Sequence, residues 1–179
     1  MKKLVMILLL AMILCFMVGC QDKEAMAELE AMKVQAEVEE QNKEVVKSFL
    51  EAWYKGDFEV AKELSSPDFA WYSPSNAKPM NFDEVTEKAK MVSKAFPDFT
   101  VSYEEIIAKG DKVVVREISR GTYQGGLHES LPTGNEIEIS DIEILRIENG
   151  KIAEVRKESD SLGGMMQLGM ELKPKEGEK

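Results

Sequence analysis

The residues of this chain best suited to chemistry are the carboxylates near its C-terminal end: Asp141, Glu143, Glu154, Glu158 and Asp160. They fall on two segments that read as strands. Side chains two apart on a strand share a face. Glu154, Glu158 and Asp160 therefore share a side, and so do Asp141 and Glu143 if no bulge lies between them. A carboxyl group can exchange a proton near neutral pH only where an apolar pocket raises its pKa. The alternative reading of these acids is a solvated strand face in an acidic protein.

Other chemistries find little support. His128 is the only histidine, in a loop from Gly125 to Gly134, and is read as exposed. Zinc sites want several His or Cys ligands, so no metal is expected. There is no Gly-rich phosphate loop, no Cys/His cluster and no Ser-His-Asp order that one histidine could serve. Trp53, Tyr54, Trp71 and Tyr72 are core residues by default, or pocket-lining residues with an OH or NH handle. Arg116 and Arg120 fall on a strand. A buried arginine there would need a carboxylate partner, for which Asp141 or Glu143 is a candidate.

Cys20 stands apart. Met1-Lys2-Lys3 is followed by an apolar run from Leu4 to Val18, then Gly19-Cys20. That is a charged n-region, an apolar h-region and a small residue at the cut. The run is short of the roughly 20 apolar residues of a transmembrane helix. Met17-Val18-Gly19-Cys20 resembles the bacterial lipobox, in which a lipid is attached to the cysteine thiol. The expectation is a signal peptide over 1–19, lipidation at Cys20 and a membrane-anchored, extracytoplasmic protein. Gln21 after the cysteine favours outer-membrane sorting in a Gram-negative cell. The other cysteine, Cys15, leaves with the signal, so no disulfide is expected.

Cleavage removes Lys2 and Lys3 and no acid, which moves the formal charge from -10 to -12. A chain this acidic is a poor nucleic-acid binder, because phosphate contacts need a basic face. Nor would it be drawn to an anionic membrane surface, so attachment falls to the lipid.

The elements that must position the acids read as follows. Residues 20–41 are the lipidated cysteine and a helical stalk rich in Ala, Glu, Lys and Met. Its stripe, Ala25, Leu29, Met32 and Ala36, is weakly apolar; a short coiled coil or a docking helix is the other option. Asn42 is expected to cap a helix whose inner face is Val45, Val46, Phe49, Leu50 and Trp53. A second short helix starts at Phe58. Ser65-Ser66-Pro67 is read as a break before a short strand, Phe69 to Tyr72. Asn81 opens a third helix, with Val85, Ala89, Val92 and Phe96 inward. Strands are expected over Phe99–Ile107, Lys112–Tyr123, Glu136–Ile147 and Lys151–Asp160. In the third of these the isoleucine alternation slips near Ser140-Asp141, which predicts a bulge or a change of buried face. A last helix is expected over Leu162–Leu172, packed through Met165, Met166 and Met170. Residues 173–179 are a polar tail. Helices followed by a bent antiparallel sheet argue an α+β domain.

Several segments now carry a resemblance: Ala95-Phe96-Pro97-Asp98, Gly110-Asp111-Lys112-Val113-Val114-Val115-Arg116, Gly121-Thr122-Tyr123-Gln124-Gly125, Leu131-Pro132-Thr133-Gly134, the run Ile142 to Ile152, and Met166-Gln167-Leu168-Gly169. In order and spacing the domain over 42–172 resembles the SnoaL-like polyketide (ester) cyclases of the nuclear-transport-factor-2-like superfamily. The resemblance implies a cone of helices on a strongly curved antiparallel sheet, with a pocket between them. It also implies an intramolecular aldol closure with no metal or cofactor, run by an acid on a late strand. By that resemblance Asp141, Glu158 and Asp160 are candidate acid/base residues, and Trp53, Tyr72, Arg116 and Glu143 candidate pocket residues. In the last strand Arg156 stands where many members have Trp, and Lys157 where the cyclases often carry the acid. Tyr123 replaces a histidine. Three functions follow as expectations: a module binding a small, mostly apolar molecule, a cofactor-free cyclase or isomerase, and an interaction lipoprotein that forms a homodimer through its sheet.

Overall fold

The computed structural model describes residues 2–74, 76–127, 134–171 and 173, with residues 2–22 as backbone only. His128, Leu131, Pro132 and Thr133, the side chain of Cys20 and nearly all of the polar tail lie outside the described residues. The chain forms two compact units, 1–38 and 39–179.

In the first unit the residues belong to helix α1 (Lys2–Lys55). Met26, Leu29, Met32, Val34 and Val38 are all exposed. Among the described residues no helix is long and apolar enough to cross a membrane.

The second unit holds the rest of α1, helix α2 (Phe58–Glu63), strand β1 (Ser65–Tyr72), helix α3 (Phe82–Ala95), strands β2 (Thr100–Lys109), β3 (Lys112–Thr122), β4 (Glu136–Glu148) and β5 (Lys151–Ser159), and helix α4 (Ser161–Gln167). The expected cap at Asn42 is corrected. Helix-forming residues continue on both sides of it, so Asn42 lies inside α1, and its side chain donates to the carbonyl of Gly110 at 2.9 Å. Asn81 does cap α3, in a reciprocal box with Glu84.

The sheet runs β1-β5-β4-β3-β2. It is mixed, because β1 joins β5 in parallel while the other pairs are antiparallel. Ser65-Ser66-Pro67 does not break the chain ahead of β1 but forms its start. The pairing is irregular between Ser65 and Ala70, and Pro67 is tolerated because β1 is an edge strand.

Neither the bulge nor the change of buried face expected in β4 is present. β4 pairs with β3 without interruption from Glu136 to Arg146. Alternation is strict: Ile137, Asp141, Glu143, Leu145 and Ile147 are buried, while Ile142 and Ile144 face out. The apparent slip in the isoleucine pattern arises because two acids, not two isoleucines, occupy inward positions. The bulges lie in the neighbours, at Glu104 of β2 and Ala153 of β5, and these bend the sheet.

The concave face packs on the helices through Val46, Phe49, Leu50, Val113, Val115, Leu145 and Val155. At one end Trp53 stacks on Trp71 with ring centres 5.4 Å apart, and Phe69 meets Phe82 edge-on at 5.4 Å. A second cluster of Ala95, Phe96, Tyr123, Ile137 and Leu168 closes the other end. The last helix is shorter than expected and packs otherwise: Met165, Met166 and Met170 are exposed, and Gly164 and Leu168 are buried. A Cβ at Gly164 would lie 2.7 Å from Ile139 Cδ1. That glycine therefore lets α4 close on β4. Gln167 completes the closure by bonding both backbone groups of Glu138.

Candidate functional site

Three inward-facing acids meet between α1 and the sheet. β3 places Glu117 directly opposite Asp141 of β4, and β5 places Lys157 directly opposite Glu143. Each of these residues takes its inward position from the two-residue period of its strand. Glu117 and Glu143 are fully buried and Asp141 nearly so. The Lys157 ammonium lies 2.9 Å from Glu117 Oε1, 2.9 Å from Glu143 Oε1 and 3.6 Å from Asp141 Oδ2. From α1, the Tyr54 hydroxyl donates to Glu117 Oε1 at 2.5 Å and lies 3.4 Å from Glu143 Oε1. Ser119 Oγ donates to Asp141 Oδ2 at 2.8 Å. Glu117 Oε2 and Glu143 Oε2 are buried without a hydrogen-bond partner.

The electrostatics follow from this crowding. Burial, and then the negative charge of Glu143, push the Glu117 carboxyl up to about 7, against the pull of Lys157 and the Tyr54 hydroxyl. Burial alone would lower the Lys157 ammonium, but Glu143, Glu117 and Asp141 outweigh it and hold it firmly charged. The Tyr54 phenol is driven well above its usual range by burial and by Glu143 and Glu117. Tyr103, paired with Glu117 across β2 and β3, is raised by burial and by the same acids. Both phenols stay protonated as donors. The site thus presents one carboxyl that exchanges a proton near neutrality, one fixed cation and two phenols.

The candidates from the sequence separate cleanly. Asp141 and Glu143 come together as an inward pair. Glu158 does not join them, since its position in the strand period sends it to the outer face, where it is exposed. Asp160 lies past the end of β5 and caps α4, accepting from the Gly163 amide at 2.8 Å. Arg116 is not the buried partner of Asp141 or Glu143; it faces outward and pairs with Glu104. Lys157 takes the partner role instead. Trp53 belongs to the aromatic core. Tyr72 lies on the outer face under the Arg156 guanidinium, 4.0 Å from its ring centre. Glu117 and Lys157 are not among the sequence's candidates; Tyr54 is, as one of the four aromatics read as core by default or as pocket-lining. A signal for Glu117 is present, because it sits in phase with Val113 and Val115 on a strand whose other inward residues are apolar or small.

Two surface hollows are lined by described residues. One, of about 420 Å³, is bordered by Asp98, Arg120, Glu136, Glu138 and Gln167. The other, of about 380 Å³, is bordered by Lys62, Ser66, Phe69, Phe82 and Lys151. Neither is lined by the acid cluster. Within the cluster Lys157, with a side chain 20% exposed, reaches solvent, as does Tyr103 beside it.

Residues 43–168 match the model of the SnoaL-like polyketide cyclase family. The chain belongs to the SnoaL-like polyketide cyclase family. Its helices packed on a curved, mixed five-stranded sheet are the nuclear-transport-factor-2-like fold of solved relatives. IdmH of Streptomyces antibioticus, described as a putative polyketide cyclase, is 28% identical; the match covers 73% of this chain and 99% of that one, with a TM-score of 0.66. AclR of Streptomyces galilaeus, described as a putative hydroxylase, is 26% identical over 76% of this chain and 91% of that one, with a TM-score of 0.66. A putative SnoaL-like polyketide cyclase from Jannaschia sp. CCS1 shares the fold at a TM-score of 0.67 and 22% identity, covering 75% of this chain and 95% of that one. No curated protein matches.

Proposed function

We propose that this SnoaL-like domain binds a small, mostly apolar molecule at the buried acid cluster, and that a lipid on Cys20 anchors it to the outer side of a membrane. The observation that carries the binding reading is the pair of fully buried acids, each with one oxygen that meets no donor. Nothing in a well-packed core requires such groups, and each is costly to keep there. The aromatic rings of Tyr54 and Phe99, 6.2 Å apart, offer apolar contact beside them. Native mass spectrometry of the protein purified from its own cells tests this. A retained small molecule is expected, and its loss in Glu143→Gln would tie it to the cluster. Protein free of any retained molecule in every preparation would argue against binding.

A second reading, a cofactor-free cyclase or isomerase, gains from one observation. Glu117 has its proton affinity set near 7, where a general acid/base works best. In that reading Glu117 moves the proton, and Tyr54 and Lys157 stabilise the developing oxyanion. The solved relative described as a putative polyketide cyclase is consistent with it. Its test is the same purified protein: a bound molecule converted on standing in the wild type and retained unchanged in Glu117→Gln.

The anchor rests on the Lys2-Lys3, apolar run and Gly19-Cys20 pattern. Cys20→Ala is expected to release the protein from the membrane fraction; attachment that survives the change refutes lipidation there. The partner we propose for the outer sheet face is a second copy of this chain. Ile107, Ile142 and Ile144 are exposed there among charges of both signs, Arg116 with Glu104 and Arg156 with Glu154. Ile144→Glu should shift the sedimentation of a dimer to that of a monomer, and a wild type already monomeric would refute it.

A further inference from the structure

The three acids share the Lys157 ammonium unequally. It lies 2.9 Å from Glu117 Oε1 and from Glu143 Oε1, but 3.6 Å from Asp141 Oδ2. The strand pairing explains part of the difference. Lys157 stands directly opposite Glu143, while Asp141, the next inward residue of β4, is paired with Ser159. Asp141 therefore reaches Lys157 on the diagonal. Its Oδ2 is also taken, because Ser119 Oγ donates to that same oxygen at 2.8 Å. Ser119 is the next inward residue of β3 after Glu117 and is itself buried. One hydroxyl thus occupies the acceptor that would otherwise draw the ammonium closer.

We propose that Ser119 and Asp141 together regulate the proton carrier: Asp141 pulls the Lys157 ammonium away from Glu117, and the Ser119 hydroxyl limits that pull. This rests on the reading in which Glu117 moves a proton, and it makes Asp141 and Ser119 positioning residues that act through Lys157. What bears most on the Glu117 carboxyl is burial, then Glu143, then Lys157 and Tyr54. Asp141 acts one step removed, joining Glu143 and Glu117 in holding the Lys157 ammonium charged against burial. Glu117 is faced by Tyr54 from α1, Tyr103 from β2, Asp141 and Glu143 from β4, and Lys157 from β5. The two positions should work in opposite directions. Without the hydroxyl, Asp141 Oδ2 keeps the ammonium as its partner, and Lys157 shifts toward it. Glu117 then loses part of its counter-charge and holds its proton more tightly. Without the Asp141 charge, the ammonium settles on Glu117 and Glu143, and Glu117 gives up its proton more readily. An ammonium that exchanged its 2.9 Å and 3.6 Å distances would move the Glu117 midpoint by roughly 0.8 pH unit at an effective dielectric of about 20. A hydrogen bond that only stabilised the sheet would move it in neither variant.

The test is the carbon-13 shift of the Glu117 carboxyl, followed with pH on the full chain in detergent, in wild type, Ser119→Ala, Ser119→Thr and Asp141→Asn. Ser119→Ala is expected to raise the Glu117 midpoint by about 0.5–1 pH unit, and Asp141→Asn to lower it by a similar amount. Ser119→Thr keeps the hydroxyl and should leave the midpoint in place. Should Ser119→Ala not fold, Ser119→Cys takes its place, because a thiol of similar size is only a weak donor. A midpoint that stays or falls in Ser119→Ala, or that stays or rises in Asp141→Asn, overturns the proposal. If the wild type titrates near 7 all the same, the acid/base reading of Glu117 stands and only the control by Ser119 and Asp141 is lost. A wild-type midpoint at the ordinary carboxylate value would sink that reading itself, and this proposal with it, whatever the variants do.

Discussion

Replacing Glu117 by glutamine should make the protein more stable at alkaline pH, although it removes a buried ionisable side chain. Burial and the neighbouring Glu143 charge push the carboxyl up to about 7 when folded, from an ordinary value of 4.5. Between those values the folded state holds a proton that the unfolded chain has lost. Stability contributed by this group is therefore fully present below the unfolded value and is lost as pH rises through about 7. The span corresponds to about 3 kcal/mol at one pKa unit per 1.4 kcal/mol. Glutamine cannot ionise, and its amide oxygen can still accept from Tyr54 and Lys157. The stability of Glu117→Gln relative to wild type should thus climb by about 3 kcal/mol from about pH 4 to about pH 9, with most of the rise before about pH 7. Urea unfolding of both proteins across that range measures it directly, through midpoints at constant slope. A difference that stays flat with pH would refute the reasoning. So would one that falls, which would mean that Glu117 is a stabilising anion when folded.

Lys157→Met leaves Glu117, Asp141 and Glu143 without their cation. It should cost about 3–5 kcal/mol at alkaline pH and much less near pH 5, as read by the same unfolding curves. Glu158→Gln, on the exposed outer face, should change stability by no more than about 0.5 kcal/mol; a larger loss would place that side chain in the site after all. Asp160→Ala removes the cap of α4 and should cost about 1 kcal/mol, with faster amide exchange at Gly163 and no change in the titration of Glu117.

The architecture was legible in the sequence because its signals are local. The Asn81/Glu84 box, the Glu148-Asn149-Gly150 turn, where Asn149 has φ 52, and the long β-branched runs each fix an element without help from the rest of the chain. What was not legible depends on partners distant in sequence. The parallel docking of β1 on β5 has no local signature. The isoleucine pattern of β4 misleads, because Ile142 and Ile144 serve the outer face while Asp141 and Glu143 take the inner one. Inward acids read as an error in the strand period until Lys157 and Tyr54 are seen to meet them. The site was half legible for the same reason. Asp141 and Glu143 lie on a late strand, where the resemblance puts an acid, whereas Glu117 lies on an earlier one. Lys157, by sequence, only stands where the cyclases often carry the acid. It is in fact the charge that allows three acids to be buried together.

The chemistry of the cluster turns on Glu117 being a buried carboxyl that exchanges its proton near neutrality. Carbon-13 labelling of the glutamate side chains, with the Glu117 carboxyl assigned by comparison with Glu117→Gln, lets its chemical shift be followed with pH in the folded protein. A midpoint near 7 is expected, moved downward in Glu143→Gln, where the neighbouring negative charge is gone. A Glu117 midpoint at the ordinary carboxylate value, unmoved by Glu143→Gln, would contradict it.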